Sequence, residues 1–251
     1  MTKSNNMSTP VLRIRDLFRR LGTADAVLHI IGKIAQKLSL DNILIRRYYV
    51  FLQTVDQIVI LPNRRGRSVN VRLIESDDPI IHDFPRPELE IAERFRCGSE
   101  CLVAEFEGKL SGFFWLHFEP YDDPEANVQF HLHPRSVAAW DFDMYVEPAH
   151  RGGWTFAKLW SCTGKLLRER SIQSSVSLVW YDNEVSITSH RRMGAFPIFS
   201  AYHLQIGRTV LHIAGTSPRM CLIRPCRKKP TFHFDTSVPT CKSFSRFRDQ
   251  G

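Results

Sequence analysis

Residues 141–170, DFDMYVEPAHRGGWTFAKLWSCTGKLLRER, commit this part of the chain to one supersecondary unit: a strand, a turn, a glycine pair and an amphipathic helix. The turn runs over Glu147, Pro148, Ala149 and His150, and the glycines are Gly152 and Gly153. Such a strand–turn–helix junction suits an anion. The first turn of a helix carries unpaired N–H groups and the positive end of the macrodipole, and both favour phosphate oxygens. Arg151 adds a positive charge at that spot, and the two glycines allow a ligand to approach the backbone closely.

The pattern on either side is that of a compact α/β unit. Val69, Val71 and Leu73 alternate as a first strand, and residues 85–96 contain a helix with Pro87 near its start. Residues 101–106 and 110–118 predict two apolar strands around the turn Glu107-Gly108-Lys109. Residues 120–135 read as a loop over the sheet edge, and 138–147 as the strand entering the pivotal turn. After the helix come a strand at 174–181, a short helix at 183–193 stopped by Gly194, and a closing antiparallel pair around Gly207. The fold class is therefore α/β (α+β), with a mixed, mostly antiparallel central sheet flanked by helices.

Charge divides the chain into three. Residues 1–72 hold 13 Lys and Arg against four Asp, residues 219–251 hold 8 against 2, and residues 73–218 hold 13 against 20 acids. The expected organisation is a basic N-terminal extension (1–67), a central domain (68–216) and a basic, partly disordered tail (217–251). Within the extension, Val27, Ile30, Ile31, Ile34 and Leu38 recur at helical spacing over 24–38 and are expected to pack on the domain. Basic ends fit an acidic carrier protein or a membrane surface. Nucleic acid ranks last, because no basic stripe interleaved with aromatics is present. Oligomeric state is not legible. No apolar run approaches the ~20 residues of a membrane helix, and residues 1–15 lack a signal-peptide core, so a cytoplasmic protein is expected. The six cysteines form no zinc-spaced set, so they read as reduced thiols and no metal is expected.

Val146-x-Pro148-x-His150-Arg151-Gly152 resembles motif A of the GNAT superfamily of N-acetyltransferases, V-x-P-x-[YH]-R-G-x-G-x-[GA]. Asn183-x-x-Ser186-x-x-x-His190-x-x-x-Gly194-Ala195-Phe196 is similar to that family's N-x-x-[AS]-x-x-x-[YH]-x-x-x-G-[FA] segment. The resemblance spans residues 69–215. Where the later small positions of motif A fall, this chain carries Trp154 and Phe156, which narrow the approach. The resemblance implies a GNAT-like fold whose fourth and fifth strands splay apart around acetyl-CoA or another acyl-CoA. Met144, Tyr145 and Val146 would then meet the pantetheine arm, Arg151, Gly152, Gly153 and Trp154 the pyrophosphate, and Asn183 the pantetheine. The acceptor would be a small-molecule or peptide amine, held by residues 80–97, 120–135 and the surroundings of Tyr202.

Acyl transfer needs a base for the amine and an acid for the departing thiolate. Period-2 alternation sets Asp141, Asp143, Tyr145 and Glu147 on one face of their strand, which makes Asp141 and Asp143 the candidates to receive the amine's proton. His190 stands where the resemblance places the residue that protonates the thiolate, with Tyr181 and Tyr202 as competitors. Two other functions fit the same residues. One is an acyltransferase whose donor is an acyl carrier protein, and the other a non-catalytic GNAT-like binding module.

Overall fold

The computed structural model describes residues 43–62, 64–214, 219–224 and 229–237, together with helical Thr23, Ala26, Val27, Ile30, Ile31 and Ile34. Most of the segment 24–38 expected to be helical and the end of the tail lie outside the described residues. In chain order the elements are β1 (Ile43–Thr54), β2 (Val69–Ile74), α1 (Glu88–Arg96), β3 (Glu100–Phe106), β4 (Lys109–His117), β5 (Tyr121–Asp123) and β6 (Val128–His133). They continue with β7 (Ala138–Val146), α2 (Thr155–Glu169), β8 (Ser174–Trp180), α3 (Glu184–Arg192), β9 (Phe196–Ile206), β10 (Thr209–Ala214), β11 (Met220–Ile223) and β12 (Thr231–Asp235).

A nine-stranded sheet runs β11-β10-β9-β1-β8-β7-β4-β3-β2. Every neighbouring pair in it is antiparallel except β7 with β8. From β2 to β10 the strands of this sheet and the helices occur in the expected order, β5 and β6 standing apart in a second sheet, and the fold is a GNAT-like mixed sheet with helices on both faces. α2 covers one face, where Leu159, Trp160 and Leu167 pack on Leu102, Phe114, Leu116 and Ala139. α3 lies on that face as well, with Ile187 against Phe51 and Val179. On the opposite face Ile91 of α1 and Phe84 pack on Val103, Phe113 and Trp115.

Three expectations are corrected. The boundary at residue 67 is not a boundary in the sheet, because β1 is a central strand between β8 and β9. Tyr48, Val50 and Leu52 point into one core and Phe51 into the other, so β1 carries side chains buried on both faces. Its Arg46 is accommodated by laying the guanidinium 4.0 Å over the Trp180 ring and pairing with Asp182 at 3.1 Å. Residues 120–135 are also more than a loop. β5 and β6 join β12 in a small three-stranded sheet, in which Val128, Phe130, Phe232 and Phe234 pack on Tyr48 and Trp140 of the large one. The tail is thereby ordered in part, as β11 at the sheet edge and β12 beside β6. Finally, in the extension Val27, Ile31 and Ile34 are exposed, whereas Ala26 is fully buried and Ile30 half-buried, so the covered side of that segment is not the expected one. Among the described residues no helix is long and apolar enough to cross a membrane, and Cys97, Cys101, Cys162 and Cys221 are free thiols.

The junction of the two sheets carries opposed titrations. The Ala126 amide donates to Asp123 Oδ1 at 2.6 Å, and its carbonyl accepts from His212 Nε2 at 2.7 Å. Burial raises Asp123 from the usual carboxylate range to about 6 and lowers His212 to about 4. A raised carboxylate binds its proton more tightly folded than unfolded, so this site gains stability as pH falls through 6 toward 4. A depressed histidine does the reverse: its stability is complete above about 6.5 and is lost as pH falls toward 4. Each shift is worth on the order of 3 kcal/mol. In Asp123→Asn the histidine slope is left unopposed, so its melting temperature will drop more than the parent's between pH 7 and 4.5. His212→Gln will drop less than the parent. Thermal melts across that range check both.

Candidate active site

β7 and β8 pair only from Ala138↔Ser174 to Asp141↔Ser177, although β7 continues to Val146 and β8 to Trp180. Beyond that point they diverge, and the gap opens a cavity of about 560 Å³ floored by Phe114 and Trp160. Asp141, Met144, Tyr145 and Val146 line it from β7, and Arg151, Gly152 and Phe156 from the turn and α2. Asn183, Ser186 and His190 close it from α3. Residues from motifs about 40 positions apart thus meet in one cleft.

The rim at α2 is electropositive for two reasons. No side chain caps the start of α2 and no acidic residue occupies its first turn, so its leading amides and dipole are uncompensated. Arg151 is held beside it by donating from Nε to the Val146 carbonyl at 3.1 Å, which leaves the rest of the guanidinium facing outward. Gly152, at φ +79°, turns the chain into the helix. Trp154 does not line the cavity. It packs against Gly66, in a turn that also carries Arg64, Arg65 and Arg67, with the Arg65 guanidinium 5.8 Å from the ring centre. Gly153 also lies outside the lining, so of the two bulky replacements only Phe156 faces the cleft.

The single face of carboxylates is corrected. β7 carries a bulge: its pairing with β4 shifts register between Phe113 and Trp115, and Asp143 adopts φ +47°. One extra residue inverts the alternation beyond it. Asp141 faces the cleft, whereas Asp143 leaves it and accepts from Arg86 Nε at 2.9 Å and from Arg94 at 2.6 Å. Tyr145 borders the cleft, but its ring lies on the Asp143 side of the sheet, stacked on Phe113, with its hydroxyl raised above the usual phenol range by burial and by Glu147.

Asp141 is 4% exposed and accepts from Ser175 Oγ and Ser177 Oγ, each at 2.5 Å. Ser177 Oγ in turn lies 3.1 Å from His190 Nε2, while His190 Nδ1 lies 2.7 Å from the Ser186 carbonyl. A carbonyl cannot donate, so Nδ1 carries a proton, and Nε2 is the position at which a proton is gained or lost. Ser177 Oγ gives its one proton to Asp141, so toward His190 it can only accept; with Nε2 protonated, His190 donates to Ser177 Oγ, and Asp141, Ser177 and His190 form a continuous hydrogen-bonded chain from the sheet interior to the cleft. Tyr181 and Tyr202 do not line the cleft. Asn183 does, and its Oδ1 caps α3 by accepting from the Ser186 amide at 3.1 Å, which fixes the helix that carries His190. Ser177 was not foreseen. The available signal was the spacing Ser175-x-Ser177, which puts two hydroxyls on one face of a strand beside an acidic one.

No family model and no curated protein matches the chain. Solved structures are similar at low identity. One is a conserved protein of unknown function from Staphylococcus epidermidis (11% identity, 71% of this chain and 67% of that one, TM-score 0.47). Another is the ribosomal-protein-alanine N-acetyltransferase of Brucella melitensis (21%, 50% and 90%, TM-score 0.36). A third is a tandem GNAT protein from the clavulanic acid biosynthesis pathway (12%, 61% and 50%, TM-score 0.42), of which the chain spans half the length. None of these scores reaches 0.5, so fold and site stand on this chain's own residues.

Proposed function

We propose that the chain is an acyl-CoA-dependent N-acyltransferase, most simply an N-acetyltransferase, that moves an acyl group directly to a primary amine. The observation that carries this reading is the cleft between the diverging strands. It combines an unpaired strand edge, a basic helix start and a hydrogen-bonded carboxylate–serine–histidine chain. These groups fit an acyl-CoA donor in kind. On its β8 side, the β7 backbone at 144–146 lacks a strand partner and offers amide groups to a pantetheine arm. Arg151 and the leading amides of α2 offer charge and donors to a pyrophosphate.

A bound thioester supplies an activated carbonyl: a C–N bond forms as the C–S bond breaks, the amine gives up a proton and the sulfur takes one. His190 Nε2 is proposed to handle the proton at the cleft. Asp141, through Ser177, orients the imidazole and balances its charge when both ring nitrogens are protonated. Asp143, engaged by two arginines, is proposed to shape the acceptor side of β7 rather than to act as the base.

Calorimetric titration with acetyl-CoA and with a long-chain acyl-CoA tests the reading. At least one is expected to bind, and Arg151→Glu is expected to weaken that binding about 10- to 100-fold, since a charge-assisted bond contributes about 1.5–3 kcal/mol. If neither binds and no amine is acylated, the reading fails. Turnover with an acyl carrier protein alone would keep the transfer chemistry and change the donor.

A further inference from the structure

A second site lies on the small sheet, apart from the cleft. His131 and His133 alternate on β6, and His233 of β12 pairs in register with His131. The three imidazoles therefore project from one face of a parallel strand pair. Their ligand-type nitrogens all lie within 4.8 Å of one another, with His133 Nε2 and His233 Nδ1 2.9 Å apart. The ring centroids of His131 and His233 are 5.0 Å apart. We propose that these residues form a binding site for a divalent d-block cation of the zinc class, with solvent completing the coordination.

The tautomers and charges favour it. His131 Nε2 lies 2.9 Å from Gln129 Oε1 and donates to it, which leaves Nδ1 with its lone pair as the accepting atom. A metal-bound histidine almost always donates its remote N–H to an oxygen acceptor, the role the Gln129 amide oxygen fills here. Arg135 meets His131 Nδ1 only at 3.3 Å and is exposed, so it is free to swing away. The 2.9 Å contact between His133 and His233 is a shared proton between two lone pairs, and a cation replaces that proton while it moves to the far nitrogen of its ring. At Zn–N distances of ~2.0–2.1 Å a tetrahedral pair of nitrogens is about 3.3 Å apart, so side-chain rotation alone closes the set. Asp122 and Asp235 act on His131 and His133 from the flanks and favour a cation there. Imidazole donors select zinc, copper or nickel over calcium or magnesium.

Spacing rules do not find this set, because His133 and His233 are 100 residues apart and only the β6–β12 pairing joins them. The consequence is a clamp that ties β12 to the domain.

The test uses chelator-stripped protein without a histidine tag. Zn²⁺ is titrated against a chromophoric chelator, and Co²⁺ is followed by its visible absorption. One equivalent per chain, a tetrahedral Co²⁺ spectrum and a rise in melting temperature with Zn²⁺ are expected. His133→Ala and His233→Ala should each weaken binding by more than about 100-fold, beyond the loss that a mere orienting partner causes. Their melting temperatures in chelator should stay close to the parent's, and His82→Ala, at an exposed position elsewhere, should bind like the parent. Binding retained by the double variant His133→Ala/His233→Ala, or only sub-stoichiometric binding by the parent, overturns the proposal.

Discussion

Replacement of His190 by alanine will lower kcat for acyl transfer by about 10²- to 10⁴-fold and leave KM for the acyl donor within a few-fold. That magnitude is the contribution of a positioned acid–base group. The kcat-over-KM asymmetry follows from geometry: His190 caps a proton chain 3.1 Å from Ser177, whereas the donor's phosphates would be met by Arg151 and α2 on the far rim. Ser177→Ala removes the link but leaves the imidazole held by Ser186, so its kcat loss will be smaller than that of His190→Ala. Asp141→Asn will cost stability as well, since the buried carboxylate accepts two hydroxyls and an amide replaces one of those oxygens with a donor. Initial rates with the best acceptor, alongside melts of each variant, separate the two effects. A His190→Ala enzyme within fivefold of the parent kcat would take the proton chain out of the mechanism.

The residues differ in how far they disclosed themselves. The junction at 141–170 was legible because three local signals coincide there: alternation, a Pro and Gly turn, and helical periodicity. The second motif was legible for the same reason, and together the two located the cleft. The partition of the carboxylates was not legible. It depends on a bulge in which Asp143 takes φ +47°, a conformation that no side-chain pattern announces in a non-glycine residue. The place of β1 was hidden differently. Its apolar sequence declares a strand, but pairing across more than a hundred residues with β8 and β9 is a property of the assembled sheet. β12 has the same history: a short apolar segment in a basic tail becomes a strand only because β6 offers it an edge. The serines of β8 fell between these cases. Their alternation was visible, but their meaning came only when Asp141 was found opposite Ser177.

The cleft also depends on one close approach, at Gly112. A Cβ there would sit 2.5 Å from the Tyr145 carbonyl oxygen, 3.0 Å from Thr155 Cγ2 and 3.3 Å from Leu159 Cδ1. The first neighbour is backbone, so no rotamer change relieves the clash, and β4 and β7 must move apart by close to 1 Å. Gly112→Ala is therefore expected to destabilise by about 1–3 kcal/mol, the usual cost of overpacking. For a chain of this size that lowers the melting temperature by roughly 2–12 °C. The displaced strand is the one that carries Asp141 and Tyr145, and Thr155 opens the helix beside Arg151, so function should suffer beyond stability. A misplacement of about 1 Å can cost on the order of 100-fold in rate. Assayed well below its melting temperature, Gly112→Ala should lose acyl-donor affinity and kcat together, unlike His190→Ala, which loses kcat alone. If both its melting temperature and its kinetics matched the parent, β4, β7 and α2 would not be locked in the stack that shapes the cleft.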